Sequence, residues 1–232
     1  MHSVTQLLIA IAGGLFPALA WLWFWLREDS EHPEPRRLIF YAFIAGMATV
    51  AIVIPIELSL RAVINTETLL FITWAIVEEL MKFIAASTVI LWRHDNDEPI
   101  DAVIYMIMVG LGFAAVENMM FLLSPVSGDS LSQTILSGNF RFIGATLLHV
   151  LSSAIIGVSL GLSFYKHRYV RYGYVLCGIV LACITHSAFN YSILHVPSEH
   201  MVQVFVGVWI GILALLAMLE YVKRVRPVCA ST

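Results

Sequence analysis

Seven long apolar stretches set the limits on what this chain can fold into. A helix needs about 20 apolar residues to cross the roughly 30 Å hydrocarbon core of a bilayer. The connections between the stretches are short, which leaves no room for a water-soluble domain. The sequence therefore predicts an all-α bundle of about seven transmembrane helices, a single integral membrane domain over residues 1–232. The predicted spans are Val4–Leu26, Leu38–Leu60, Thr66–Leu91, Ile100–Leu123, Phe140–Tyr165, Tyr172–Leu194 and Met201–Val222.

Composition agrees with this fold class and excludes several functions. Of the 232 residues, 59% are hydrophobic and only 12% are charged. Soluble domains carry about 25% charged residues, because their surface faces water. The lipid bilayer is therefore the first expected partner, and we expect no nucleic acid as a partner.

The cations predict how the bundle is oriented. With seven spans, ten of the 13 Lys and Arg residues fall on one side of the membrane and two, Arg61 and Arg141, on the other. Lys and Arg concentrate in cytoplasmic loops. We therefore predict an extracytoplasmic N-terminus and a cytoplasmic C-terminus. The remaining cation, Lys82, lies inside a predicted helix.

The third stretch carries three ionisable side chains, Glu78, Glu79 and Lys82. Each charge at bilayer depth costs roughly 2.5 kcal/mol or more, so such residues usually have a function. Helical spacing lets Lys82 reach either carboxylate. The lysine would keep one acid ionised, while apolar surroundings and mutual repulsion would favour the protonated form of the other. Such a pair provides a base and an acid.

Three other helices place polar groups at a similar depth. At about 1.5 Å per residue, Glu78 lies about 18 Å from the outer end of its helix, and Glu117 about 9 Å. The same rise places His149 about 14 Å and His186 about 12 Å from theirs. Asn190 follows His186 by one helical turn. The sequence thus predicts one polar site, built from four helices, in the outer half of the membrane.

Several kinds of chemistry fit such a site. Two imidazoles and Glu117 would bind a metal or stabilise an oxyanion, and Asn190 would orient a histidine or donate to the oxyanion. These are the parts needed to activate water against an amide bond. Two rival interpretations stay open, a transporter whose buried acids relay protons and a non-catalytic membrane scaffold. The H-E-x-x-H motif of common zinc proteases does not occur.

Other motifs predict local structure. Glu57 and Arg61 are four residues apart, which favours an interfacial ion pair on one helix face. Asp97 is predicted to cap the fourth helix. Gly110 and Gly112 predict a close approach of the fourth helix to its neighbours.

The order of these residues resembles the PrsW family of intramembrane proteases. The resemblance runs from about residue 27 to residue 194, and the family is related to the type II CAAX-processing endopeptidases. Where that second group has a histidine, this chain has Glu117. The motifs that carry the resemblance are Pro33-Glu34-Pro35, Glu78-Glu79-x-x-Lys82, Asp97-Glu98-Pro99-x-Asp101, Gly110-x-Gly112-Phe113-x-x-x-Glu117-Asn118, His149 and His186-x-x-x-Asn190.

The resemblance implies a multi-pass endopeptidase of the bacterial cytoplasmic (inner) membrane. Its implied substrate is a membrane-anchored protein, an anti-sigma factor, cut on the extracytoplasmic side in a site-1-type cleavage that starts regulated proteolysis. Carried over position by position, the implied functional set is Glu78, Glu79, Lys82, Glu117, His149, His186 and Asn190.

The resemblance leaves two chemistries open, zinc or a metal-free glutamate that activates water. Candidate metal ligands are His149, His186 and Glu117, a normal catalytic zinc set. Lys82 would add positive charge beside a metal ion, and no two of these ligands share a helix. We therefore favour metal-free catalysis, in which one glutamate of the pair deprotonates water and Lys82 tunes the pair.

Overall fold

The computed structural model describes residues 4–28, 34–91, 93, 96–123 and 131–226, without the side chains of 28, 131–143 and 198. Pro33 of the Pro33-Glu34-Pro35 motif lies outside these residues. The described part of the chain forms seven α-helices and contains no strand, which confirms the predicted all-α class. The helices are α1 (Val4–Glu28), α2 (Arg36–Val63), α3 (Glu67–Ala86), α4 (Asp101–Leu123), α5 (Leu131–Leu162), α6 (Arg168–His195) and α7 (Met201–Val222).

Six of these helices are long and apolar enough to cross a membrane, namely all except α3. The exception has a simple cause, since α3 contains Glu78, Glu79 and Lys82 in its second half. A π-helical turn over Ser87–Leu91 extends it. The orientation of the termini stays a prediction.

Two boundary predictions were wrong. Helix α5 begins at Leu131 rather than at Phe140, because the polar residues before Phe140 include no proline and do not break a helix. Asp97 does not cap α4 as an N-cap residue. The helix begins at Asp101, whose Oδ2 accepts the backbone N–H groups of Asp97, at 2.9 Å, and Glu98, at 2.6 Å.

Helix α4 forms the centre of the bundle. It packs against α1, α2, α3 and α5, and every residue from Ala102 to Ala115 is buried. A helix that is apolar on all sides is expected in such a position. Near its start, the hydroxyl of Tyr105 donates to Glu34 and joins the segment before α2 to the core.

Glycines allow α4 to approach its neighbours closely. A Cβ atom at Gly46 of α2 would collide with the backbone oxygen of Val109, and one at Gly112 of α4 with that of Phe43. On the α5 side, a Cβ at Gly110 would lie 2.7 Å from the backbone oxygen of His149. Small residues permit such contacts between membrane helices, and here they bring the backbone around His149 against α4.

Candidate active site

Four helices bring the predicted polar side chains together in the bundle. Helix α3 contributes Glu78, Glu79 and Lys82, all buried. Glu117 comes from the last two turns of α4, His149 from the middle of α5, and His186 from α6. His149 and His186 are also buried, and their rings meet edge to face with centroids 5.1 Å apart.

Glu79 is the most densely hydrogen-bonded member of the cluster. Its Oε1 atom lies 2.6 Å from Lys82 Nζ, 2.7 Å from His186 Nδ1 and 2.8 Å from Ser152 Oγ. Glu79 and Lys82 are fully inaccessible to solvent. A buried charge has to be paired and hydrogen-bonded to be tolerated, so we assign Glu79 as ionised and paired with Lys82.

These contacts determine which nitrogen of each histidine carries a proton. An ammonium group only donates, so His149 Nδ1, 3.2 Å from Lys82 Nζ, accepts. His149 Nε2–H then donates to Glu117. His186 Nδ1–H donates to the ionised Glu79, which leaves the lone pair of its Nε2 free of that contact. The Nε2 atom of His149 therefore carries a proton, whereas the Nε2 atom of His186 carries a lone pair.

Glu78 differs from its neighbour Glu79. Its Oε2 atom is buried without a protein hydrogen-bond partner and lies 3.8 Å from His186 Nε2. Its side chain is 8% exposed. The carboxyl group of Glu57 on α2 lies near that of Glu78. Among the ion pairs of the described residues, none joins Glu57 to Arg61, so the ion pair predicted from their spacing is wrong.

A cavity of about 110 Å³ lies beside the cluster. Its polar lining is formed by Glu117, Asn118, His149, His186 and Asn190, and its apolar lining includes Phe71 and Phe189. The side chain of Glu117 is 46% exposed, so this part of the site is open. A water needs only about 10–15 Å³ of such volume. The cavity therefore has room for several waters beside both histidines.

The donor set is suited to a metal ion. Glu78, His149 and His186 each offer a ligand atom, and these atoms lie within 4.8 Å of one another. Two imidazoles and a carboxylate make a common catalytic zinc set, and the unpartnered Glu78 Oε2 is an oxygen that a metal would satisfy. Glu79 already holds the far nitrogen of His186, as carboxylates do behind metal-binding histidines. Glu117, the third ligand expected from the sequence, contacts His149 instead of joining this group.

Two residues of the cluster were not assigned to it from the sequence, Ser152 and Glu57. Ser152 follows His149 by three residues, a spacing that places both on one helix face, so this signal was present. Glu57 had no comparable signal, because its proximity to Glu78 depends on how α2 packs against α3.

Comparison with known proteins shows which family this chain is similar to. A family model described as PrsW family intramembrane metalloprotease matches residues 34–218. "Protease PrsW" of Geobacillus kaustophilus (strain HTA426) is 26% identical over 190 residues, which cover 79% of each chain. "Protease PrsW" of Bacillus subtilis (strain 168) is 25% identical over 192 residues, 78% of this chain and 81% of that protein. No solved structure matches the chain.

The matched range includes all four helices that supply the cluster, from Glu78 on α3 to Asn190 on α6. It also covers most of the chain, which confirms the resemblance predicted from the motifs. The chain therefore belongs to the PrsW family and is an intramembrane protease.

Proposed function

We propose that this protease hydrolyses a peptide bond of a membrane-anchored protein with a water activated by Glu78. One observation carries the proposal. Of the two adjacent acids, Glu78 keeps a buried oxygen without a protein partner next to His186, whereas Glu79 Oε1 receives three hydrogen bonds. A general base needs a free lone pair to accept the proton of its water, and Glu78 Oε2 has one.

The chemistry follows from that assignment. In its carboxylate form, Glu78 takes a proton from the water as the water oxygen attacks the carbonyl carbon of the scissile bond. Glu78 then gives the proton to the amide nitrogen as the carbon–nitrogen bond breaks. Asn190 lies at the cavity, where its side-chain amide N–H donates to the oxyanion of the tetrahedral intermediate. The Nε2 lone pair of His186 accepts a hydrogen bond from the attacking water, and His149 Nε2–H reaches the oxyanion when it leaves Glu117.

The remaining members of the cluster position these groups. Lys82 holds Glu79 ionised and keeps the proton of His149 on Nε2. Glu117 accepts that proton in a hydrogen bond and orients the ring. Glu79 accepts a hydrogen bond from His186 Nδ1–H and orients that ring.

Zinc is the second chemistry that the donor set supports. Glu78, His149 and His186 would hold the ion, and His149 would have to release one of its present partners, Lys82 or Glu117. Such an ion would supply a Lewis acid for the peptide carbonyl. The ammonium group of Lys82, 3.2 Å from His149 Nδ1, opposes a second positive charge there.

The family supports a proposal for the substrate and for the cellular location. We propose a bacterial cytoplasmic membrane, in keeping with the bacterial relatives, and a membrane-anchored anti-sigma factor as the substrate. The distribution of Lys and Arg supports a site that opens on the extracytoplasmic side.

Co-expression with a single-span reporter substrate tests the proposed base. We expect Glu78→Gln to lower cleavage about 10²- to 10⁴-fold, the usual range for loss of a general base. Glu79→Gln should lower it as well, because His186 loses its anionic partner. Glu67→Gln is the matched control, an exposed glutamate at the start of the same helix. Undiminished cleavage by Glu78→Gln would contradict the assignment.

Metal analysis distinguishes the two chemistries. For metal-free catalysis, we expect the purified protein to contain less than one zinc ion per ten chains and a chelator to leave cleavage unchanged. A stoichiometric zinc ion that is lost in Glu78→Gln, His149→Ala and His186→Ala would establish the zinc mechanism instead.

A further inference from the structure

Ser152 of α5 is a buried hydroxyl at the centre of the cluster. Its Oγ lies 2.8 Å from Glu79 Oε1, 3.4 Å from the backbone oxygen of His149 and 3.5 Å from Lys82 Nζ. A hydroxyl has one proton to donate. The shortest of these contacts leads to an ionised acceptor, and such hydrogen bonds are the strong ones. The Ser152 proton therefore belongs to Glu79.

This bond completes a set of three donors on one oxygen. Lys82 reaches Glu79 Oε1 from the same helix, Ser152 from α5 and His186 from α6. The other oxygen, Oε2, has no protein hydrogen-bond partner. The orientation of the Glu79 carboxylate thus depends on the three contacts to Oε1 alone.

The donors differ in how firmly they fix the orientation of the Glu79 carboxylate. The Lys82 chain is long and can follow the carboxylate as it turns. Ser152 has a single short side chain on the rigid α4–α5 pair, where Gly110 packs against the His149 backbone. Of the three, Ser152 fixes Glu79 Oε1 relative to α5, and thereby relative to His186 Nδ1.

We propose that Ser152 is a positioning residue of the protease. It holds Glu79 Oε1 on His186 Nδ1–H, which keeps the Nε2 lone pair of His186 directed to Glu78 and the cavity. The inference rests on the proposed function, because it gives His186 a part in catalysis. Ser152 itself acts through Glu79 and His186 and does not touch the substrate.

The neighbouring residue provides a matched control. Ser153 is also fully buried on α5, but its Oγ has no protein hydrogen-bond partner. It packs against α4, where a Cβ at Gly110 would lie 2.6 Å from Ser153 Oγ. Ser152→Ala and Ser153→Ala remove the same atom at the same depth of the same helix, and only the first breaks a contact with Glu79.

Kinetics with the purified full-length protein and the single-span reporter test the role. We expect Ser152→Ala to lower kcat about 10- to 100-fold, as loss of a partner behind a functional histidine does, with KM within about twofold of wild type. Ser152→Thr, which keeps the hydroxyl, should restore most of kcat. Ser153→Ala should resemble wild type.

A second measurement detects the tautomer of His186 directly. In protein labelled with ¹⁵N-histidine, we expect the His186 signal of wild type and of Ser153→Ala to show the Nδ1–H form. In Ser152→Ala, part of the population should shift to Nε2–H. His186→Gln identifies the signal by its absence.

Three outcomes would overturn the proposal. These are a Ser152→Ala protein with wild-type kcat, equal losses in Ser152→Ala and Ser153→Ala, and a His186 spectrum that Ser152→Ala does not change. A wild-type protein that cleaves no reporter would overturn the proposed function instead. The spectrum would still decide whether Ser152 positions His186.

Discussion

The cluster has two halves, and polar groups within the membrane are stabilised differently in each. The interior half, Glu79, Lys82 and Ser152, is fully buried and held together by hydrogen bonds of 2.6 to 2.8 Å on Glu79. The cavity half includes Glu117, whose side chain is 46% exposed, and Asn190, which lines the cavity. Charges in the first half neutralise each other, whereas polar groups in the second half line a cavity with room for water. Glu78 lies between them, buried but with an unpartnered oxygen.

This difference predicts which substitutions should lower stability and which should lower activity alone. A buried charge that loses its partner is destabilising, because it stays in a region of low dielectric. A partly exposed group that is removed is replaced by water at little cost. Substitutions in the interior half should therefore lower stability and activity together, and those in the cavity half should lower activity alone.

The largest expected effect is that of Lys82→Met. It leaves Glu79 buried without its counter-charge, which costs about 3–5 kcal/mol of folding free energy. The double variant Glu79→Gln/Lys82→Met, which removes both charges, should recover most of that loss and remain inactive. Thermal unfolding in detergent and reporter cleavage measure the two quantities. A double variant no more stable than Lys82→Met would break the distinction between the halves.

A smaller effect is expected from Glu117→Gln. The amide keeps a hydrogen-bond acceptor for His149 Nε2–H but loses the charge, so kcat should fall about tenfold, equivalent to about 1.4 kcal/mol. Stability should change by less than about 0.5 kcal/mol, because surface substitutions rarely do more. The same cleavage and unfolding assays apply. A large loss of stability here would show that Glu117 belongs to the interior half.

Much of the fold was predictable because bilayer thickness fixes helix length. The seven helices followed from apolar stretches alone. The start of α5 did not, since the helix continues past the apolar layer into the polar residues before Phe140, where hydropathy no longer indicates a helix. The place of Asp101 at the start of α4 depends on the turn before it, which brings two N–H groups to its carboxylate.

The candidate site was predictable at the level of which residues meet. Intramembrane acids and histidines are few, and helical rise places Glu78, His149 and His186 at similar depth. Which of the two acids, Glu78 or Glu79, pairs with Lys82 was not predictable. Lys82 can reach either acid along the helix, and its choice of Glu79 is set by Ser152 and His186 on other helices.

The glycine contacts between α2 and α4 have a consequence for how a substrate reaches this protease. Gly46 and Gly112 leave no side-chain layer between the two backbones, so these helices cannot part by repacking side chains. A polypeptide that crosses the bilayer therefore has to approach from another direction. Helix α6 has few buried residues, among them His186 and Phe189, and both line the cavity. We expect α6 to move aside when the substrate enters. Because His186 lies on α6, this movement would also set the position of His186.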